Sequence, residues 1–221
     1  MRDHGSVILL HGLGRTAGSM WRIDRALARA GYRTLRLNYP ARRQSLAQIV
    51  ETIHPAVVQM ARAHHGPVHF VTHSLGGLVV RAYLTAHRPG NMGRVVMLAP
   101  PNQGSEWADF VLRLRLDRAI LGPTARHLRI GRADDDEALF GAVDYPLGVI
   151  AGNRALDPLL PRLLVARPND GKVSVASTRV NGMDDHIVMP VTHTLMTMNP
   201  RVIRQSVAFI RDGRFEHAGD R

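Results

Sequence analysis

The sequence predicts an α/β domain, a mostly parallel sheet with helices on both faces. Three observations carry this. Short apolar runs of strand length alternate with longer amphipathic stretches along the chain. Two of those runs, SVILL at 6–10 and RVVML at 94–98, are apolar without alternation, as strands covered on both faces are. Gly and Pro are scattered, with no linker, repeat or low-complexity tract, so 221 residues read as one domain, 1–221, with a sizeable core.

Residues 6–10 form the first buried strand. A helix over 19–30 follows and is stopped by Gly31. A second strand, 33–38, is closed by Pro40. A long helix occupies 45–64, with Pro55 marking a kink. The third strand is 67–72. The helix after it, 75–87, repeats Leu78, Val79, Ala82 and Tyr83 at helical spacing. The fourth strand is 94–98. Two more are expected at 146–151 and 172–180, and a helix over 200–212 closes the chain.

Ligands of open α/β sheets bind beyond the carboxyl ends of the strands. The polar residues expected there are His11 to Gly14, His73 with Ser74, residues 99–104, and the region after Ala151. At HFVTHSLGGLVV, residues 69–80, the chain turns from strand to helix within a few residues. Gly76 and Gly77 permit close backbone approach, and Ser74 is left at the apex, at a helix N-terminus. There, N–H groups and the helix dipole favour an anion beside the hydroxyl. The plainer alternative is a serine acting as an N-cap.

The stretch Thr72-His73-Ser74-Leu75-Gly76 resembles the nucleophile elbow G-x-S-x-G of lipase-like and esterase-like α/β-hydrolases, with Thr72 replacing the first Gly. The resemblance runs from Ser6 to about Phe215. It implies a minimal six-stranded α/β-hydrolase fold. LLHGLGR at 9–15 resembles that family's oxyanion turn, which makes Leu13 and Leu75 the expected N–H donors. The family's chain order is Ser, then acid, then His. His193, just ahead of the last helix, is the expected base, with His186 as the alternative. Asp170, in RPNDGKVSV, is the expected acid, with Asp157 as the alternative; Asp184 and Asp185 read as surface turn residues.

Trp107, Phe110, Val111 and Leu114 fall at i, i+3, i+4 and i+7. The segment 105–145, with its acidic cluster at 134–137, reads either as a cap over an acyl pocket or as a helix packed on the core. His11, His73, Trp107 and Phe110 are the expected substrate-binding residues.

The reaction implied is carboxylic-ester hydrolysis through an acyl-enzyme, on a small acyl ester or lipid. A thioesterase or acyltransferase with the same triad, or a non-catalytic binding protein on the same fold, are the rivals. Epoxide hydrolases and dehalogenases use Asp at the elbow. The chain has no Cys, which excludes thiolate chemistry and disulfides. No zinc motif or cofactor motif appears, so neither metal nor cofactor is expected. The remaining histidines, among them His64, His65, His69 and His73, read mostly as surface or corner residues. The net charge is +11, but the basic residues are Arg apart from Lys172 and are spread evenly. That distribution disfavours nucleic acid and fits weak attraction to anionic surfaces or acidic substrates. With no membrane-spanning run and no signal-like N-terminus, a cytoplasmic location is expected.

Overall fold

The computed structural model describes residues 4–63, 66–132, 138–155 and 164–217. The sheet is built from β1 (Ser6–Leu10), β2 (Arg33–Leu37), β3 (Val68–His73), β4 (Met92–Leu98), β5 (Leu147–Gly152) and β6 (Asp185–Met189). All neighbours are parallel, in the order β2-β1-β3-β4-β5-β6. The helices described are α1 (Trp21–Arg29), α2 (Leu46–Ala63), α3 (Leu75–His87), α4 (Glu106–Arg113), the single turn α5 (Asp117–Ile120), and α6 (Pro200–Asp212).

Strand side chains alternate faces, so each buried strand feeds two cores. Ile8 and Leu10 of β1 pack with Val95 and Met97 against α2 and α3. Val7 and Leu9 pack with Val96 and Leu98 against α1 and α6, through Ile23, Leu27, Val202 and Phe209. Leu9 is wholly buried, and truncating such a side chain to Ala costs about 2–5 kcal/mol.

Local chemistry fixes the helix ends. Ser45 and Gln48 form a reciprocal capping box before α2: Ser45 N–H donates to Gln48 Oε1 at 2.8 Å, and Gln48 N–H to Ser45 Oγ at 3.3 Å. The helix then runs through Pro55 as one element. Asn199 caps α6, Pro200 takes its first position, and Gly213 ends it at φ 79°.

One expected strand is not there. Residues 172–180 alternate in polarity, but they fold as a tight turn and a 3-10 turn, Ala176–Thr178. Their backbone donors are claimed locally by Asp170 Oδ1 and Ser174 Oγ, which removes them from any ladder. The sixth strand is Asp185–Met189 instead. The cluster 134–137, Asp157, His64 and His65 lie outside the described residues. His69, expected at the surface or a corner, is instead buried in β3, where its Nδ1 accepts Arg94 N–H at 2.9 Å. No described helix is long and apolar enough to cross a membrane.

Candidate active site

The strand order reverses between β1 and β3, with β2 on one side and β4 on the other. The helices that follow these two strands go to opposite faces, α1 to one and α3 to the other. A crevice therefore opens beyond their carboxyl ends, where a doubly wound sheet binds its ligand. The turn after β1 and the corner after β3 both face it.

Ser74 sits on that corner at φ 53° and ψ −122°, a left-handed conformation costing a non-glycine residue about 1–3 kcal/mol. The corner is held from both sides. Ser74 N–H donates to Leu98 O at 2.8 Å, and Gly77 N–H to Ser74 O at 2.9 Å. A Cβ on Gly76 would lie 2.7 Å from Leu10 O, so only glycine lets α3 start this close to β1. Thr72, which replaces the motif's first glycine, lies within β3, where a β-branched side chain suits the strand. The Ser74 side chain makes no helix cap.

His193 Nε2 accepts from Ser74 Oγ at 3.0 Å, and His193 Nδ1–H donates to Asp170 Oδ2 at 2.7 Å. Asp170 is buried in the Asn-Asp-Gly turn. Its Oδ1 accepts Lys172 N–H at 3.0 Å and Val173 N–H at 2.8 Å, which leaves Oδ2 for the imidazole. His193 N–H also donates to Asp170 O at 3.0 Å, so the two loops are joined through backbone as well. Gly152, at the end of β5, makes room for this: a Cβ there would lie 2.8 Å from Asp170 Cβ and 2.5 Å from Val191 O. His186, the alternative base, lies on β6 and donates from Nε2 to Thr178 Oγ1 at 3.0 Å. Burial first, then the charge of Arg179, holds its pKa down at about 4. Asp184 instead accepts Leu147 N–H, and Asp185 accepts Phe215 N–H, so both staple the sheet edge.

A cavity of about 430 Å³ opens over Ser74. Leu13 and Leu75 line it beside the serine. Leu75 is the first residue of α3, where an N–H has no intrahelical acceptor, and Leu13 N–H makes no hydrogen bond among the described residues. Trp107, Ala108, Ile120 and Leu128, from α4, α5 and the 3-10 turn Gly122–Leu128, supply an apolar wall. Phe110 is half-buried outside the lining, and so is fully buried His11. The His11 ring stacks on Tyr39 at 4.2 Å, and its Nδ1–H donates to Gly12 O at 2.8 Å. His73 reaches the lining, yet it is buried and donates from Nε2 to His193 O at 3.0 Å. Burial, then the charge of His193, drives its pKa well below the ordinary value, so its ring is neutral.

Sequence reasoning missed three features. Ser105 bridges two loops: its hydroxyl donates to Lys172 O at 2.7 Å and accepts Ala108 N–H at the cap of α4. His73 supports the His193 loop from below. Lys172, Arg15 and Arg42 line the cavity. Arg15 and Lys172 lie inside the motifs LLHGLGR and RPNDGKVSV, which drew attention to their neighbours, and Arg42 lies in neither. Among the described residues, no three His, Asp or Glu side chains gather as a metal-ligand set.

Solved structures similar to this chain share the fold at low identity. The mature form of the Bacillus licheniformis lipase BlEst2 is 15% identical, with a TM-score of 0.75 over 95% of this chain and 90% of that one. The metagenomic carboxyl esterase MGS0156 is 17% identical, with a TM-score of 0.66 over 96% and 74%. Phospholipase PlaB from Legionella pneumophila is 17% identical, with a TM-score of 0.69; 95% of this chain covers 60% of that one. No curated protein matches the sequence. The family model of the alpha/beta hydrolase fold matches residues 5–119, more than half of the chain. With the sheet order and the corner at Ser74, that match establishes that the chain belongs to the alpha/beta hydrolase fold family.

Proposed function

We propose that the protein is a serine hydrolase that cleaves carboxylic esters through an acyl-enzyme. The observation that carries this reading is the continuous relay from Ser74 Oγ through the His193 ring to Asp170 Oδ2, at 3.0 and 2.7 Å. A serine hydroxyl is a weak nucleophile at neutral pH unless a base stands within hydrogen-bond reach and is itself oriented.

Ser74 Oγ attacks the ester carbonyl as His193 Nε2 takes its proton. Asp170 holds the ring in the tautomer that leaves Nε2 open and balances the imidazolium that forms. The oxyanion lies against Leu13 and Leu75 N–H, each such donor being worth about 2.7–4 kcal/mol in a site of this kind. Collapse expels the alcohol, which receives the proton from His193. Water then attacks the acyl-Ser74 ester along the same path and releases the acid. The segment 105–145 acts as the cap, with Trp107, Ile120 and Leu128 against the acyl chain. A carboxyl esterase and lipases among the similar folds favour an ester over other acyl bonds.

The test is hydrolysis of p-nitrophenyl esters from acetate to palmitate, with Ser74→Ala as control. Turnover abolished by the substitution in a folded protein is the expected result. A folded wild-type protein inert to the whole panel contradicts the proposal.

A further inference from the structure

We propose that the substrate carries an anionic group apart from its reacting carbonyl, and that Lys172 and Arg15, with Arg42 as a third lining cation, hold that group in the cavity. This rests on the ester-hydrolase reading and adds the substrate's charge to it. Three cations reach the lining from three different loops, and no carboxylate lines the cavity among the described residues.

Lys172 is the only lysine in the chain, and its placement is tied to the relay. Its N–H donates to the carboxylate of Asp170, and its carbonyl accepts from Ser105 Oγ. The side chain therefore leaves a turn fixed by the same residue that orients His193. Its Nζ lies 5.0 Å from the centre of the Trp107 ring, on the apolar wall. No ion pair engages Lys172 or Arg15 among the described residues. The carboxylate next to Lys172, that of Asp170, has Oδ1 and Oδ2 already committed. Surface arginines such as Arg88 and Arg211 are by contrast paired with Asp144 and Asp212.

A half-buried ammonium that shares a cavity with a guanidinium is costly without an anion beside it. Burial, and then the charge of Arg15, holds the Lys172 pKa below the ordinary lysine value. A phosphate or carboxylate bound beside the two cations would offset the cost of burial and screen their repulsion. Arg42 is already steadied by donating to Ala119 O, and it adds a third positive charge to the lining. The rest of the lining, with Leu13, Ile120 and Leu128, is left for the uncharged part of the ester.

Two matched pairs of soluble esters test this at low salt. One pair places the anion on the alcohol: 1-butyrylglycerol and its 3-phosphate. The other places it on the acyl chain: p-nitrophenyl pentanoate and the p-nitrophenyl monoester of glutaric acid. The anionic member of at least one pair should be favoured tenfold or more in kcat/KM. That ratio should fall at least tenfold in Lys172→Met and survive in Arg29→Gln, which removes an exposed charge on α1. The pair that shows the preference identifies which side of the ester bears the anion. A ratio below tenfold in both pairs, or one that persists in Lys172→Met and Arg15→Gln, overturns the inference.

Binding of glycerol 3-phosphate to Ser74→Ala, followed by calorimetry, reads the cations without turnover. Saturable binding lost on adding Lys172→Met, where the folded wild-type protein cleaves no ester, supports the anion site and sinks the hydrolase reading. Turnover of the neutral esters with no anion preference and no such binding does the reverse.

Discussion

Replacing Asp170 by Asn isolates what the carboxylate does, because its two oxygens have separate duties. Oδ1 accepts Lys172 and Val173 N–H, while Oδ2 faces His193 Nδ1. An amide nitrogen cannot accept the two backbone donors, so the oxygen of the new side-chain amide must stay with them. Its NH₂ then points at Nδ1, which must give up its proton and become an acceptor. The proton moves to Nε2, the atom that in the proposed mechanism receives one from Ser74. The same tautomer trap in a Ser-His-Asp hydrolase lowers kcat about 10⁴-fold, which is about 5.4 kcal/mol at 1.36 kcal/mol per decade. Stability should change by less than about 1 kcal/mol, because both backbone bonds survive. Asp170→Ala should lose activity too, and stability as well, since it orphans two donors at about 1–3 kcal/mol each. The assay is kcat on p-nitrophenyl butyrate, with urea unfolding on each variant. A folded Asp170→Asn enzyme within tenfold of wild-type kcat would refute this division of roles.

Stability should fall as pH drops from about 6.5 toward about 4. His69 and His186 are kept neutral in the fold, each held at about 4, mainly by burial. In the unfolded chain they bind protons near the ordinary value of about 6.5. The unfolded state thus takes up more protons over that window, and each ring removes up to about 3 kcal/mol by its lower end. Equal urea midpoints at pH 7 and pH 4.5 would contradict this. Gly76→Ala pushes a methyl against Leu10 O and should cost about 1–3 kcal/mol, seen as a lowered Tm; an unchanged Tm would show that α3 can slide off β1 freely. Trp107→Ala should shift the preferred acyl length, since its ring lines the cavity, while Phe110→Ala should shift it less. The opposite ranking would remove α4 from the acyl wall.

The sequence was legible where one residue type had one structural use. The Pro200–Asp212 helix could be read from Asn199, Pro200 and Gly213, and each acts there as a cap, a first-turn residue or a stop. The corner at Ser74 could be read because two glycines after a polar apex between apolar runs leave few other geometries. Residues 172–180 misled because alternation records which side chains are buried, not which backbone groups remain free. Val173 and Val175 are buried, but Asp170 and Ser174 had taken the local donors. DHIVM concealed β6 because an edge strand is only partly covered, and its Asp and His resembled loop residues. Asp170 and His193 could be ranked but not joined from the sequence. Their contact depends on the space left by Gly152, a residue distant from both in the chain. The cations of the cavity were hidden in an arginine-rich background and became visible once three loops converged.

The most direct measurement is the mass of the covalent intermediate. The protein is mixed with p-nitrophenyl butyrate, quenched in acid within the first turnovers, and digested for mass spectrometry. The expected result is a butyryl group on the peptide that contains Ser74, and neither adduct nor turnover in Ser74→Ala. Ester cleavage at the wild-type rate by folded Ser74→Ala, with no acyl group on that peptide in the wild type, would contradict it.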